Sequence, residues 1–345
     1  MFRPELEPII YRDLYRVMPG SPVPLEDVLK AVTKASPSYF VDYLELPPMT
    51  HGPIRVRVTQ FGDKPDGMVF VDPNSGKVNG FQADDSSIFD WLVLLHKRLL
   101  VKYPEGNDWG HWLAGMIGLV WMLMLLTGLV LWVPKLNQWK HVFALRRKNA
   151  YIWNYDVHKL IGILVLVPLI AIIAVILPRT VGGSFLDGTS YPKALDPKFV
   201  DPTDKGAPTT LDGLVRKAES FEAGARAVYV KPGPTTTIKI SSLRDAGRNS
   251  GYYQGDIELT LEESNGQITK ILDTRTWNPL AVAVHYNHYL SVHGGTWGGW
   301  ITRLLEFLVT LGVLYLAWTG LRQWWIKRGL RRKSKRAKPI QPVGA

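Results

Sequence analysis

The chain has 345 residues, no cysteine, a formal net charge of +11 and a mean hydropathy of −0.01. The lack of cysteine excludes structural disulfides, iron–sulfur clusters, thiolate catalysis and a c-type haem attached through a C-x-x-C-H run. The near-zero hydropathy averages polar stretches with three long apolar ones, and the length allows two or three domains.

Residues 1–19 read as polar and irregular. Pro24–Ala31 has the spacing of a short amphipathic helix, and alternating strands are predicted over Tyr39–Leu46, Ile54–Gln60 and Met68–Asp72. A turn follows at Asp72-Pro73-Asn74-Ser75-Gly76-Lys77. The same order returns later, with a helix over Leu211–Ala218 and strands over Ala225–Lys231, Thr235–Ser242, Tyr253–Leu261 and Gln267–Asp273. The apolar stretches are Trp112–Val133, Leu160–Leu177 and Leu304–Leu321. At ~1.5 Å per residue the first can cross a ~30 Å hydrocarbon layer, and flanking tryptophans and tyrosines make the shorter two acceptable. Leu126-Thr127-Gly128-Leu129 in the first stretch matches Trp318-Thr319-Gly320-Leu321 in the last. One unit, a small α+β domain feeding a histidine-bearing membrane helix, therefore occurs twice, and the middle span links the copies.

The basic charge is segmented. Residues 134–155 carry five lysines and arginines and residues 322–345 carry nine, with no acid in either. Both segments abut apolar spans, which argues for loops retained in the cytoplasm and against a nucleic-acid surface. Both α+β domains then face outward. A domain of about a hundred residues ahead of the first span is thereby expected to follow a further span before Met1.

Histidine is costly beside hydrocarbon, and a metal-bearing cofactor is the usual reason for it. His285, His288 and His293 fall in the run HYNHYLSVHGGTWGGW at the mouth of the last span. His96 lies in an amphipathic stretch, Trp91–Leu100, ahead of the first span on the same side. Two neutral imidazoles at one depth are what six-coordinate haem iron needs, which pairs His96 with His293. His111 opens the first span and either replaces His96 or is interfacial. His285 and His288, three apart, share a helical face and line a ligand site or only a polar surface. His158 stands at the inner end of the middle span as half of a second site. His141, in the basic loop, and His51, in Thr50-His51-Gly52-Pro53, read as exposed.

Val69–Val78, Leu95-His96, Leu126-Thr127-Gly128-Leu129, Asp156-Val157-His158-Lys159-Leu160-Ile161-Gly162 and His293–Gly299, in this order, resemble the motifs of the PepSY-associated transmembrane family. These are iron-regulated bacterial inner-membrane proteins that include ferric-siderophore reductases. The resemblance implies four spans, periplasmic PepSY domains and b-type haem, one or two per chain, on histidines matching His96, His158 and His293. The family's first span, with its own histidine, has no counterpart in this sequence, and the inner-side haem depends on it.

The expected fold is an α-helical integral membrane protein with two small α+β, PepSY-like extracytoplasmic domains and three visible transmembrane helices. A first periplasmic domain is expected over 1–90, and an interfacial segment with the first visible span over 91–133. A basic cytoplasmic loop is expected over 134–155, the second span over 156–178 and a second periplasmic domain over 179–284. The histidine-rich segment and last span follow over 285–325, with a basic cytoplasmic tail over 326–345. The expected function is electron transfer through haem b to the iron of a periplasmic ferric siderophore. Quinol or a cytosolic flavoprotein would be the donor, because no G-x-G-x-x-G fingerprint is present. The rivals are a membrane-anchored binding or regulatory protein without redox activity, and a haem subunit serving another oxidoreductase.

Overall fold

Alternating apolar side chains build the sheet. A computed structural model describes residues 2–47, 52–60, 65–101, 109–133, 143–186, 210–241, 257–273 and 299–336. The first copy comprises α2 (Leu25–Ala35), β1 (Phe40–Glu45), β2 (Ile54–Thr59), β3 (Gly67–Val71) and β4 (Val78–Ala83). The second comprises α6 (Leu211–Ser220), β5 (Arg226–Lys231), β6 (Thr235–Ser241), β7 (Ile257–Glu262) and β8 (Ile268–Asp273). Each copy is an antiparallel meander, and the two join edge to edge into one eight-stranded sheet of order β4-β3-β2-β1-β5-β6-β7-β8. At ~4.8 Å between strands the sheet is roughly 34 Å wide. The central seam is short: Leu44 faces Val230, Glu45 faces Tyr229, and Leu46 N–H donates to the Val228 carbonyl at 3.0 Å.

One face of the sheet is apolar. Val56 and Val58 on β2, Val69 and Val71 on β3, and Ile238 and Ile240 on β6 pack under α2 and α6. Those helices contribute Leu25, Val28 and Val32, and Leu214, Val215 and Ala218. Burying each aliphatic side chain is worth about 1.5–3 kcal/mol. The helices start side by side, and each caps the other. Leu25 N–H donates to the Asp212 carboxylate at 2.9 Å, and Leu211 N–H donates to Glu26 at 2.5 Å. Burial and a hydrogen bond to Glu26 hold the Asp212 carboxyl above its ordinary range. Burial also pushes Glu26 upward, but its bonds to Asp212 and to the backbone of α6 outweigh that and bring it below. The pair therefore keeps one proton, on Asp212, further up the pH scale than a free aspartate would. Both tight turns are also shared. Gly76 and Gly266 each adopt φ +68°, and each amide closes onto the carbonyl four residues back, of Asp72 and Glu262.

The other face carries a cross-strand ladder of polar and aromatic side chains, Phe70–Arg55–Glu45–Tyr229–Lys239–Glu258. Arg55 pairs with Glu45 at 2.5 Å and Lys239 with Glu258 at 3.4 Å. The chain before α2 folds over the first half of this face. Residues 1–19 are not irregular throughout: α1 (Arg3–Ile10) forms there. Pro4 falls in its first turn, where no intrahelical donor is required. Tyr15 packs its ring against Phe70 and donates to Glu7 at 2.9 Å. Leu14 lies against Gly80, where a Cβ would come within 2.7 Å of its Cδ2. The strand β4 was not predicted, because an edge strand with no buried residue shows no apolar alternation.

From β4 the chain enters α3 (Ile88–Arg98), whose N-cap Ser87 accepts from Asp90 N–H at 3.0 Å and donates to the Asp90 carboxylate at 2.6 Å. Three long helices follow: α4 (Trp109–Trp132), α5 (Ala150–Leu186) and α7 (Gly299–Arg336). All three are long and apolar enough to cross a membrane. They exceed the expected spans. Asn149 caps α5 by accepting Ile152 N–H at 2.8 Å, so residues 150–155, assigned to the basic loop, are helical. Likewise α7 runs to Arg336, into the expected tail. Both α4 and α7 pack on α5. At the α5–α7 contact Gly312 leaves no room for a side chain, since a Cβ would sit 2.5 Å from Val165 Cγ1.

Two outcomes test these joints. Replacing Gly312 by Ile over-packs the α5–α7 seam and should cost about 1–3 kcal/mol, read as a lower thermal midpoint in detergent. In Asp212→Asn the amide reproduces the protonated acid, accepting from Leu25 and donating to Glu26. The Asp212 contribution to stability should fall as pH rises from the ordinary aspartate value of 3.8 through the raised folded-state value, against the opposite contribution of Glu26. The variant should flatten that slope and match or exceed wild type at pH 7; an unchanged slope would contradict the shared proton.

Candidate functional site

Of the six histidines proposed as ligands, two have described side chains, His96 and His158. His285, His288 and His293 lie outside the described residues; His111 is in α4, but its side chain is not described. Residues 51 and 141 also lie outside them.

His158 sits on α5 at the seam with α7. Its Nδ1 is 2.8 Å from Thr319 Oγ1. The Thr319 hydroxyl also lies 2.9 Å from the Tyr315 carbonyl and 3.1 Å from that of Leu316, each of which can only accept. With the hydroxyl proton directed to the α7 backbone, Thr319 Oγ1 can accept from His158 Nδ1. In that tautomer the lone pair lies on Nε2, the state in which imidazole binds a metal. One turn earlier on the same face, Asn154 donates to the Thr319 carbonyl at 2.7 Å. Gly320 lies beside the ring, where a Cβ would make an ordinary contact with His158 Cε1 at 3.7 Å. Asn154 and Thr319 are buried. On the flank, Asp156 is fully buried and gripped by Arg146, which donates its amide, Nε and Nη2 at 2.8–2.9 Å. This ties the segment before α5 to the helix.

Neither Asn154 nor Thr319 was singled out as functional from the sequence. The usable signal was the recurrence of Thr-Gly in both spans. Its other copy, Thr127-Gly128 on α4, back-bonds in the same way to Leu123 and Met124. There the threonine is exposed, and nothing stands within 4 Å of a Cβ at Gly128.

His96 is at the opposite end of the bundle. It lies in the last turn of α3, which stops where Leu99 and Leu100 take positive φ, +53° and +62°. The end of α3 abuts the first turn of α4, with Gly110 against the Arg98 carbonyl. His96 keeps accessible surface, yet the surrounding protein, and secondarily Lys97, hold its pKa below the ordinary histidine range. It is therefore neutral at pH 7 and able to ligate.

The two ends are far apart. Thr319 lies twenty residues beyond Gly299 along α7, roughly 30 Å. The start of α7 belongs with α3, because α1 is bonded to both. Arg303 donates to both carboxylate oxygens of Glu5 at 2.5 and 2.7 Å and stacks over Phe2 and Trp300. Arg3 donates to Asp90 at 2.8 Å. His96 and His158 thus cannot belong to one site. Among the described residues no group of three or more metal-ligating side chains converges.

No curated protein matches the chain at a significant level. The family described as "PepSY-associated TM region" matches residues 1–327, nearly the whole length. That span takes in the α+β sheet and all three apolar helices. The chain is a multi-pass membrane protein of the PepSY-associated transmembrane family.

Proposed function

We propose that the protein is a haem-b electron carrier of a bacterial inner membrane that delivers electrons to the ferric iron of a siderophore in the periplasm. The observation that carries this reading is the setting of His158: an imidazole in an apolar helix, held through Nδ1 by the Thr319 hydroxyl at 2.8 Å, which leaves Nε2 for a ligand. An intramembrane histidine held this way would serve as a ligand to a b-type haem. Bound there, the haem would supply a one-electron iron centre. On the sheet side, neutral His96 and His293 would together hold a second haem.

The protein's own residues set the conditions for that chemistry. Thr319 fixes the His158 tautomer and aims the ring, and Asn154 fixes Thr319 through its carbonyl. The apolar surfaces of α4, α5 and α7 keep water from the inner position, while the polar face of the sheet overlies the outer one. The donor, quinol or a cytosolic flavoprotein, would act on the cytoplasmic side near the basic segments. Ferric iron would accept one electron per event, and the resulting ferrous iron is held more weakly by hard oxygen chelators.

Protein purified from membranes should show a Soret band, with α and β bands that sharpen on dithionite reduction. His158→Ala should remove the inner haem, and either His96→Ala or His293→Ala should remove the outer one. Thr319→Val keeps the ligand but frees the tautomer. It should weaken inner haem retention by roughly 10–100-fold, with Thr319→Ser restoring it. Oxygen-free reduced protein should be reoxidised by ferric siderophore. Reoxidation by another oxidoreductase alone would make it that enzyme's haem subunit, and a colourless preparation would leave an anchored PepSY binding protein.

A further inference from the structure

Two short helices at the sheet end of the bundle carry apolar faces that stand exposed among the described residues. On α1, Leu6, Ile9 and Ile10 form a stripe at i, i+3 and i+4, exposed by 44–58%. The opposite side of α1 is polar and used. Glu7 is buried, bonded to Arg3 and Tyr15, and the Tyr15 ring leads on to the sheet through Phe70. On α3 no residue is buried, and Trp91, Leu92 and Leu95 are exposed by 37–47%. The two helices are neighbours, joined by the Arg3–Asp90 bond and by Arg3 over the Phe89 ring at 5.7 Å. Their apolar faces therefore make one extended surface.

That surface has a fixed place relative to the membrane. The carboxylate of Glu5 binds Arg303 in the first turns of α7, so α1 stands at the sheet-side end of that long apolar helix. The C-terminal end of α3 stands against the first turn of α4, at Gly110. Beyond it the exposed side chains of α4, Trp112 and Leu113, continue the apolar surface into the span. An apolar patch continuous with the exposed apolar surface of the long helices, on two short helices joined to each other through Arg3, has the character of interfacial helices.

We propose that α1 and α3 together form a shelf lying in the plane of the bilayer, in the headgroup–acyl boundary of the leaflet on the sheet side, and that lipid covers their apolar faces. The shelf holds the sheet at a set height, polar face toward the membrane, and fixes His96, one turn beyond Leu92, at the depth of the lipid boundary. It stands apart from whether a haem is bound.

The chain has no cysteine, so single cysteines report without background. Ile9→Cys, Trp91→Cys and Leu92→Cys would be introduced one at a time into the full chain. A control at Lys30→Cys lies exposed on α2, across the sheet. Each would carry a nitroxide and be reconstituted in vesicles of phosphatidylcholine and phosphatidylglycerol. Collision with dissolved oxygen, which concentrates in lipid, and with a water-soluble nickel chelate would be read by power saturation. Labels at 9, 91 and 92 should favour oxygen several-fold over nickel, and the label at 30 should show the reverse. Nickel accessibility at 9 and at 91 or 92 matching that at 30 would overturn the proposal. So would shielding from both reagents with spin–spin broadening, which would put a second copy of the chain on this face.

Discussion

The seam between β1 and β5 is the contact on which the architecture depends. Two registered residue pairs and one further amide bond convert two four-stranded meanders, each too small for a substantial core, into one sheet with a continuous apolar face. So short a ladder would be weak alone. It is reinforced from above, where the first amides of α2 and α6 are each satisfied by a carboxylate from the other helix. Helix N-termini need such partners wherever they are buried. Thr210 caps α6 within its own copy, but the first amide of each helix is met from the other copy, so the duplication is structural as well as a repeat. Below, Tyr43 and Tyr229 stack across the seam at 4.9 Å between ring centroids.

Charge in the membrane-spanning helices follows a similar economy. Asp156 is buried but surrounded by Arg146 and Lys159, and Arg303 is clamped by Glu5. Each pair ties an irregular or short segment to the end of a spanning helix. The ion pairs thus locate the loops, and the hydrocarbon-facing surfaces stay apolar. The Thr319 hydroxyl works in a comparable way, joining the backbone of one helix to a histidine on the next.

Much of this was written in local pattern. The strands of both copies follow from period-two alternation over Ile54–Thr59 and Ile257–Glu262, and the α2 and α6 helices from their apolar spacing. The spans follow from length and composition. What escaped was what rests on distant partners. The helix α1 looks irregular because its charges, Arg3 and Glu5, are satisfied by Asp90 and Arg303, far along the chain. The edge strand β4 needs no apolar face, and its Gly80 serves the approach of Leu14. His158 was legible as a costly residue in an apolar helix. Thr319 was not, since a threonine in a membrane helix bonds its own backbone whether or not a histidine waits beside it.

The outermost strands of the sheet stand nearest in sequence to membrane helices: β4 runs into α3, and β8 is the last described strand before α7. The seam lies midway between these two margins, like the joint at the centre of a bridge deck. Any pull between the margins would load the strands sideways, across their hydrogen bonds, and the tension would concentrate at the two-pair joint in the middle. The place where the two copies meet is thus also where the sheet would register mechanical strain.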